Sequence, residues 1–472
     1  MKIFSVVVAF LVVTSATFAS NARFASNQLA SNQFAGNPAL AWERSYDSGN
    51  EDWANGVAID PDGHILVSGG SIVGTDDDIF RLIKYDPDGN ELWHKTHNPG
   101  MNDWPLGLAI DWQGNSYTGG GYNQDFYALK LDKNGNIVWE KTFDGGGDEW
   151  AYAVVCDPWG NVYISGVGFI TFKFDPLGNV LMSDAHPSLS GCAYDAAVAP
   201  DGSVYIGGYS GSDDNARVIK YDSYGNLVWN KPYGSDTTND FVNGIAVDDQ
   251  GYVYFTGISY VPPSGPDYIN TCKLDPDGNI IWQKVFDSGN NDDGTDIAVD
   301  KHFVYVVGTK DNGTDNDLIV LRYDRDGNPG WEITKNWGGD DEFYSIASDN
   351  AGSFYVAGET ELDERVVKFL QDDFPVAAAE GPASKPALML EARSVNRSQV
   401  AIRYVLPSEA AGTLAIYALD GRQVKFFNLT PHSSLLTTTT ISVDTRAFPA
   451  GTYFARLESG GQSLTRKVVI IK

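Results

Sequence analysis

Apolar and polar residues alternate through most of the chain in short runs bounded by Gly, Asn, Asp and Pro, a pattern that predicts β-strands separated by turns. One stretch sets the template. GLAID (107–111), SYTGG (116–120), FYALKLD (126–132) and IVWEKTF (137–143) are predicted as strands a, b, c and d. The c-to-d turns read DPDGN at 86–90 and 275–279, with KNGN, PLGN, SYGN and RDGN elsewhere. Glycine there can take positive φ without the Cβ penalty, so each c–d pair is predicted to be a hairpin.

The four-run unit repeats. A pattern VAxD-xxG-N-VYxSG ends in Gly69, Gly120, Gly166, Gly208, Gly257, Gly308 and Gly358, at spacings of 51, 46, 42, 49, 51 and 50 residues. This period fits one propeller blade, and the expected fold is all-β, a seven-bladed β-propeller over residues 41–370. Six repeats are complete. The seventh has only YSIASD (344–349), FYVAG (354–358) and RVVKFL (365–370). Its missing d strand is expected upstream in AWERSYD (41–47), where Trp42 holds the position of Trp93, Trp139, Trp229, Trp282 and Trp331. Closure by that N-terminal strand would remove two exposed sheet edges. Blade 3, with Met182 in place of the tryptophan and a short b–c connection, is expected to be thin or irregular at strand d.

The string EKTFDGGGDEWAYAVVCDPWGNVYISG (140–166) resembles the bacterial seven-bladed propeller repeat family known as SBBP repeats. That resemblance covers about 330 residues; it implies the fold and carries no shared catalytic motif. After Leu370 the Ala- and Pro-rich segment 371–386 is expected to be a linker. Residues 387–472 then alternate again: VAIRYVLP (400–407), GTLAIYALDGRQV (412–424), TTISVDT (439–445), GTYFARLES (451–459) and SLTRKVVIIK (463–472). A small Ig-like β-sandwich is expected. IYALDGRQV, FPAGTYFARLESG and TRKVVIIK resemble the C-terminal sorting domain of the bacterial type IX secretion system. The resemblance implies the type IX machinery as partner, passage across the outer membrane, and release or surface attachment. The Pro-Asn-Pro signature usual near the start of that domain is absent here, where the chain reads EARSVNRSQ (391–399). The Ig-like module of flagellar hook-capping proteins shares the GR and GxYF features, so a structural cap stays open as the other reading.

The N-terminus adds a compartment. Lys2, the apolar run from Ile3 to Val13 and a cleavage position near Ala19 read as a secretory signal peptide over residues 1–19. The run is about half the roughly 20 residues needed to span a bilayer, and no transmembrane segment is expected later. Residues 20–40, in which SNQ occurs twice, are expected to be a disordered spacer. A secreted or outer-surface protein follows from both termini together.

Charge narrows the partners. The net charge is −29, and its sign is divided: residues 381–472 hold 11 Lys+Arg against 5 Asp+Glu, and residues 1–380 the remaining 22 against 57. The acidic front repels phosphate backbones, which excludes nucleic acid as a partner. Three cysteines, Cys156, Cys192 and Cys272, are too few for a disulfide framework and read as small buried hydrophobes.

The recurrent polar feature is an acid followed by an aromatic just before strand a: Asp52-Trp53, Asp103-Trp104, Glu149-Trp150 and Asp240-Phe241, with Glu342-Phe343 shifted by one. Gathered on one channel face, these would bind sugar rings by stacking or hold a cationic ligand. The alternative is that the rings wedge between blades. Asp76, Asp77, Asp78, Asp213, Asp214, Asp315 and Asp317 in the b–c connections offer oxygen ligands for calcium, or form a solvated acidic rim. Each c strand carries a cation near its end: Lys84, Lys130, Lys173, Lys220, Lys273, Arg322 and Lys368. In six blades an aspartate follows two residues later, and the pair is expected to share a face. The six histidines are scattered, and there is no HExxH, G-x-S-x-G or P-loop. The expected function is therefore non-enzymatic binding of a glycan, peptide or surface protein. Two alternatives remain: an extracellular lyase or hydrolase using Asp103, Glu149 or Asp240, and a passive structural spacer.

Overall fold

The computed structural model describes residues 37–73, 77–98, 104–122, 125–144, 149–184, 191–211, 215–234, 238–260, 265–361, 363–371, 389–396, 399–406, 411–418, 422–429, 439–446, 448–459 and 462–470. The expected signal peptide, most of the expected spacer, the expected linker beyond Gln371, and Asp76, Asp103, Asp213 and Asp214 lie outside these residues.

Residues 39–370 form seven antiparallel sheets among the described residues. Sheet 1 runs Asp52–Ile59, Ile65–Val73, Asp77–Tyr85 and Glu91–His97; sheet 2 runs Trp104–Ile110, Ser116–Tyr122, Asp125–Leu131 and Ile137–Phe143. Sheet 3 is short at its third and fourth strands, Thr171–Phe174 and Val180–Asp184, and still has four strands. Gly168 and Phe169, both at positive φ, make its tight connection, with Phe169 fully buried. Sheet 4 spans Cys192–Val198 to Leu227–Tyr233, sheet 5 Asn239–Asp240 to Ile280–Phe286, and sheet 6 Asp292–Val299 to Pro329–Lys335.

Sheet 7 draws on both ends of this region. Asp341–Ser348, Ser353–Thr360 and Asp363–Leu370 are joined by Ala39–Tyr46, which lies antiparallel to Asp363–Leu370 with Trp42 opposite Lys368. The first strand of each sheet packs on the first strand of the next, and that of sheet 7 packs on that of sheet 1. Side chains stitch this inner ring: Asp195 accepts the Ile245 amide (2.8 Å), Asp296 the Ile346 amide (2.8 Å) and Ser345 Oγ the Val57 amide (3.1 Å).

The recurrent turn is explained by its aspartate. Asp275 Oδ1 accepts the amides of Asp277 (3.0 Å) and Asn279 (2.8 Å), while Oδ2 accepts Asn279 Nδ2 (2.8 Å). Asp86, Asp132, Asp175, Asp222 and Asp324 repeat the arrangement. Gly278, at φ 78°, closes the turn. These carboxylates hold their own turns, and Lys130, Lys220 and Lys273 reach a neighbouring sheet where the i, i+2 spacing predicts a bond to the aspartate of their own turn. Lys130 Nζ instead donates to the Pro176 carbonyl in the next sheet's turn (2.9 Å), where the Trp139 indole also donates (3.3 Å). Lys220 and Trp229 meet at Pro276 O, Lys273 and Trp282 at Arg325 O. Lys368 and Trp42, from opposite ends of the region, meet at Pro87 O of sheet 1 (2.9 and 3.1 Å). The turn carbonyl sits within reach of both donors, whereas the aspartate already accepts two backbone amides and the asparagine side chain of its own turn. Sheet 7 has no c–d turn to receive sheet 6, and there Arg322 Nη1 donates to Gln371 Oε1 (2.8 Å) where the chain leaves the sheet.

The C-terminal residues form a three-stranded sheet (Met389–Asn396, Gln399–Val405, Thr439–Asp444) and a four-stranded one ordered Gln423–Leu429, Gly412–Ala418, Gly451–Ser459, Gln462–Ile470. Both sheets share a core that includes Leu390, Ile402, Leu414, Val443, Leu457 and Val468. The run 412–424, predicted as one element, is two: Ala418 N donates to Arg422 O (2.9 Å) and the chain turns back. The strand Met389–Asn396 has no counterpart among the predicted runs.

Candidate functional site: an aromatic arc facing a carboxylate sector

The face at which the first strands begin is built from three successive positions. The leading acid is largely buried. Asp52, Asp240, Asp292 and Asp341 hold the connection from the preceding sheet: Asp52, Asp292 and Asp341 each accept the amide four residues earlier, from Ser48 (2.6 Å), Ser288 (2.6 Å) and Trp337 (2.7 Å). Asp240 takes Thr238 Oγ1 (2.7 Å) and Ser259 Oγ. Asp52 also pairs with buried Arg81 (2.8 Å), whose other nitrogen bonds Glu364. Carboxylates so occupied serve the turn and the sheet junction. Glu149 is half-buried beside Asp125 and Asp144.

At the second position, at least partly exposed in every sheet but the fourth, the seven sheets differ. It is Trp53, Trp104, Trp150 and Phe241 in sheets 1, 2, 3 and 5, Cys192 in sheet 4, Asp293 in sheet 6 and Glu342 in sheet 7. Glu342, not Phe343, is the match to Trp53. Phe343 pairs with Gly358 as Ala54 pairs with Gly69, and both are fully buried. Glu342-Phe343 is thus offset by one residue from the other acid–aromatic pairs, as its sequence position indicates, and Asp292-Asp293 holds the same two positions in sheet 6 without an aromatic.

The rings touch in sequence. Trp53 and Trp104 lie 5.8 Å apart between centroids, Trp104 and Trp150 5.4 Å, Trp150 and Tyr152 6.5 Å, Tyr152 and Tyr194 5.6 Å, Tyr194 and Tyr209 5.7 Å, Tyr209 and Phe241 4.9 Å, and Phe241 and Tyr260 6.5 Å. Tyr152 and Tyr194 sit at β-bulges of the first strand, where register shifts turn an extra residue out. Tyr209 lies across from Cys192 and fills the gap that cysteine leaves. Glycine permits the close fit: a Cβ on Gly70 would lie 2.3 Å from Trp53 Cζ2. Trp104 is 38% exposed and the other seven rings are half-buried.

Sheets 6 and 7 present carboxylates instead. The Tyr344 phenol lies 2.6 Å from Glu342 Oε2 and 2.9 Å from Glu359 Oε1. One hydroxyl proton serves one acceptor at a time, and burial pushes the Glu359 carboxyl up. Burial, with Asp267, Glu342 and Asp292 nearby, pushes Asp293 up to about 6. The face is therefore polarised, aromatic over sheets 1–5 and acidic over sheets 6–7.

Of the proposed metal ligands, Asp77 and Asp78 lie in a strand with their side chains outside the description. Asp315 and Asp317 lie together, bridged by the Asn312 and Asn336 amides. Cys192 and Cys272 are buried, Cys156 half-buried, and all three are free thiols.

Compared with known proteins, residues 396–471 match the model of the secretion system C-terminal sorting domain. No curated protein matches the chain. Among solved structures the WD40 domain of Neurospora crassa Pan2 is similar in fold, at 12% identity and a TM-score of 0.50, over 70% of this chain and 95% of that one. The extracellular domain of a hybrid two-component system from B. thetaiotaomicron aligns at 12% identity and a TM-score of 0.45, over 90% of this chain; the chain spans 57% of that domain. No helix among the described residues is long and apolar enough to cross a membrane.

The chain is thus an all-β, propeller-like protein carrying a C-terminal sorting domain. That domain is of the type IX kind, it implies engagement of the type IX secretion machinery, and the protein is secreted or cell-surface.

Proposed function

We propose that this is a seven-bladed propeller of the SBBP type, closed by the strand from Ala39, whose aromatic arc binds an extended glycan without chemical turnover. The organisation that goes with this reading is a signal peptide at 1–19, a spacer up to the closing strand, a propeller ending near 370, a linker over 371–386 and an Ig-like sandwich from 387 that is delivered to the type IX machinery. The Lys–Trp latch recurs in sheets 2, 4, 5 and 7, and the one formed by Lys368 and Trp42 supports counting the seventh sheet as a blade of the same ring.

The observation that carries the binding reading is the run of eight touching, half-exposed rings across five sheets. Rings that only wedge sheets together have no reason to stay exposed or to link into one track. Sugar rings offer apolar C–H faces to such a track, and their hydroxyls suit acceptors such as Glu342 and Glu359 at its ends. Asp240, buried and saturated by hydroxyl donors, is poorly placed for acid–base chemistry.

Tryptophan emission provides the test, since three of the eight rings are indoles. Titrating the exported protein with soluble oligosaccharides of neutral, acidic and amino-sugar types should give a saturable change for at least one type. Absence of any saturable response, or a response only to peptides, would remove the glycan reading.

A further inference from the structure

Among the described residues, exposed aliphatic side chains gather at one end of the outer strands, away from the aromatic arc. Each outer strand runs antiparallel to the first strand of its sheet, so it starts at the opposite end from Trp53 and Trp104. Sheets 2–5 share a register shift there. In sheet 2 Leu131 pairs with Ile137 and Lys130 with Trp139, which leaves Val138 as the extra residue of a bulge. Residues 137–138, 180–181, 227–228 and 280–281 fill this step; all are Val, Leu or Ile, and all are 36–52% exposed. The step itself does not require them, since sheet 1 makes it with Glu91-Leu92 and sheet 6 with Pro329-Gly330.

The c–d turns sharpen this sector. Their middle residue is Leu177 in sheet 3, 77% exposed, and Tyr224 in sheet 4, 45% exposed, against Asp88, Asn134, Asp277 and Asp326 in the other sheets that have the turn. Each turn lies on the outer strand of the preceding sheet: a Cβ on Gly178 would be 3.1 Å from Trp139 Cγ, and one on Gly225 2.9 Å from Met182 Sδ. Leu177 and Tyr224 therefore stand between neighbouring outer strands and join the pairs of sheets 2, 3 and 4 into one band. The charges inside the band are engaged locally. Over 175–184 and 222–233 they are Asp175, Asp184, Asp222 and Lys231. Asp175 and Asp222 hold their own turns, Asp184 accepts the Tyr221 hydroxyl (3.1 Å), and Lys231 donates to Asp277 O. A face that meets its own copy cannot rely on opposite charge, because each residue comes near its two-fold mate; an apolar centre with locally engaged charges suits that case.

We propose that the turn-end rim of sheets 3 and 4 is the interface of a homodimer, packed about a two-fold axis on the same rim of a second copy. The six side chains at 177, 180–181, 224 and 227–228 expose on the order of 600 Å², and a standard interface buries about 800 Å² per partner with somewhat over half of it apolar. The patch thus supplies the apolar share of a stable dimer, at the upper end of what a monomer leaves bare. The aromatic arc, at the other end of the sheets, stays open in such a pair.

Sedimentation velocity on the full exported chain, over a concentration series, tests this. The parent should pass from monomer to dimer at micromolar concentration and stop there. Added salt should tighten the dimer, because it screens the repulsion between two acidic chains and leaves apolar burial in place. Leu177→Asp and Tyr224→Asp put at these turns the residue that sheet 5 carries as Asp277, so the fold has a native precedent for both. The double variant should keep the parent's unfolding midpoint and weaken dimerisation by about tenfold or more. Leu92→Asp, an equivalent change at the rim of sheet 1, should leave dimerisation as it is. A parent that stays monomeric throughout, which would leave the sector to a different protein, overturns the proposal. So does a dimer that survives the double variant, or one lost equally in Leu92→Asp.

Discussion

An aspartate placed four residues ahead of an asparagine, with glycine between, fixes each c–d turn by saturating its own carboxylate. The glycine is required sterically as well as conformationally: at Gly278 a Cβ would lie 2.9 Å from Tyr233 Oη and 3.0 Å from Trp229 Cζ2. Gly278→Ala should therefore lower stability by about 1–2 kcal/mol in denaturant unfolding, with a loss of near-UV signal from Trp229. The buried acids make a separate prediction about pH. Asp292, Asp293 and Asp341 are pushed up to about 6 by burial. Against an unfolded value near 3.9 the folded state binds more protons between about pH 4 and 6, so stability falls as pH rises through that window. The turn acids Asp60, Asp86, Asp132 and Asp275 are shifted down, and their contribution is lost only as pH falls below the unfolded value. The unfolding midpoint should be higher near pH 5 than near pH 7. An unchanged midpoint would argue against buried, uncompensated carboxylates.

At the scale of the element, the strand Ala39–Tyr46 occupies the one edge that the downstream chain leaves open, and Trp42 latches it to sheet 1. Deleting residues 39–46 should leave the outer edge of Asp363–Leu370 open and produce larger assemblies or aggregates on size-exclusion chromatography. Trp42→Ala should cost about 2–3 kcal/mol, below the range for a core tryptophan because the ring is half-exposed. Much of this level was legible beforehand. The 42- to 51-residue period placed the strands of the seven repeats, and the displaced tryptophan of AWERSYD pointed to a partner at the far end. Side-chain partners were not legible. The i, i+2 spacing put Lys130 and Asp132 on one face, but nothing in one strand reveals that a neighbouring sheet's carbonyl is nearer. The aromatic track was half legible: Trp53, Trp104, Trp150 and Phe241 follow an acid in sequence, whereas Tyr152, Tyr194, Tyr209 and Tyr260 come from bulges and from the second strand. Only cross-strand register brings those four into line.

Across the whole molecule the charge divides as the architecture does, an acidic propeller-like region and a basic sorting domain. The export address is a property of the second and the polarised face a property of the first. Sheets 6 and 7 break the aromatic repetition with Asp293, Glu342 and Glu359, and a symmetric structural ring would have no need of that break. Ligand contact should concentrate on the indoles at sheets 1–3, with the acidic sector setting which sugars are accepted. A glycan array probed with the exported chain, beside a Trp104→Ala/Trp150→Ala double variant whose unfolding midpoint is first matched to the parent, measures this claim most directly. At least one glycan class should bind, and its signal should drop by about tenfold or more in the variant, equivalent to roughly 1.4 kcal/mol or more. No glycan bound by the parent, or equal binding by parent and variant, would contradict it.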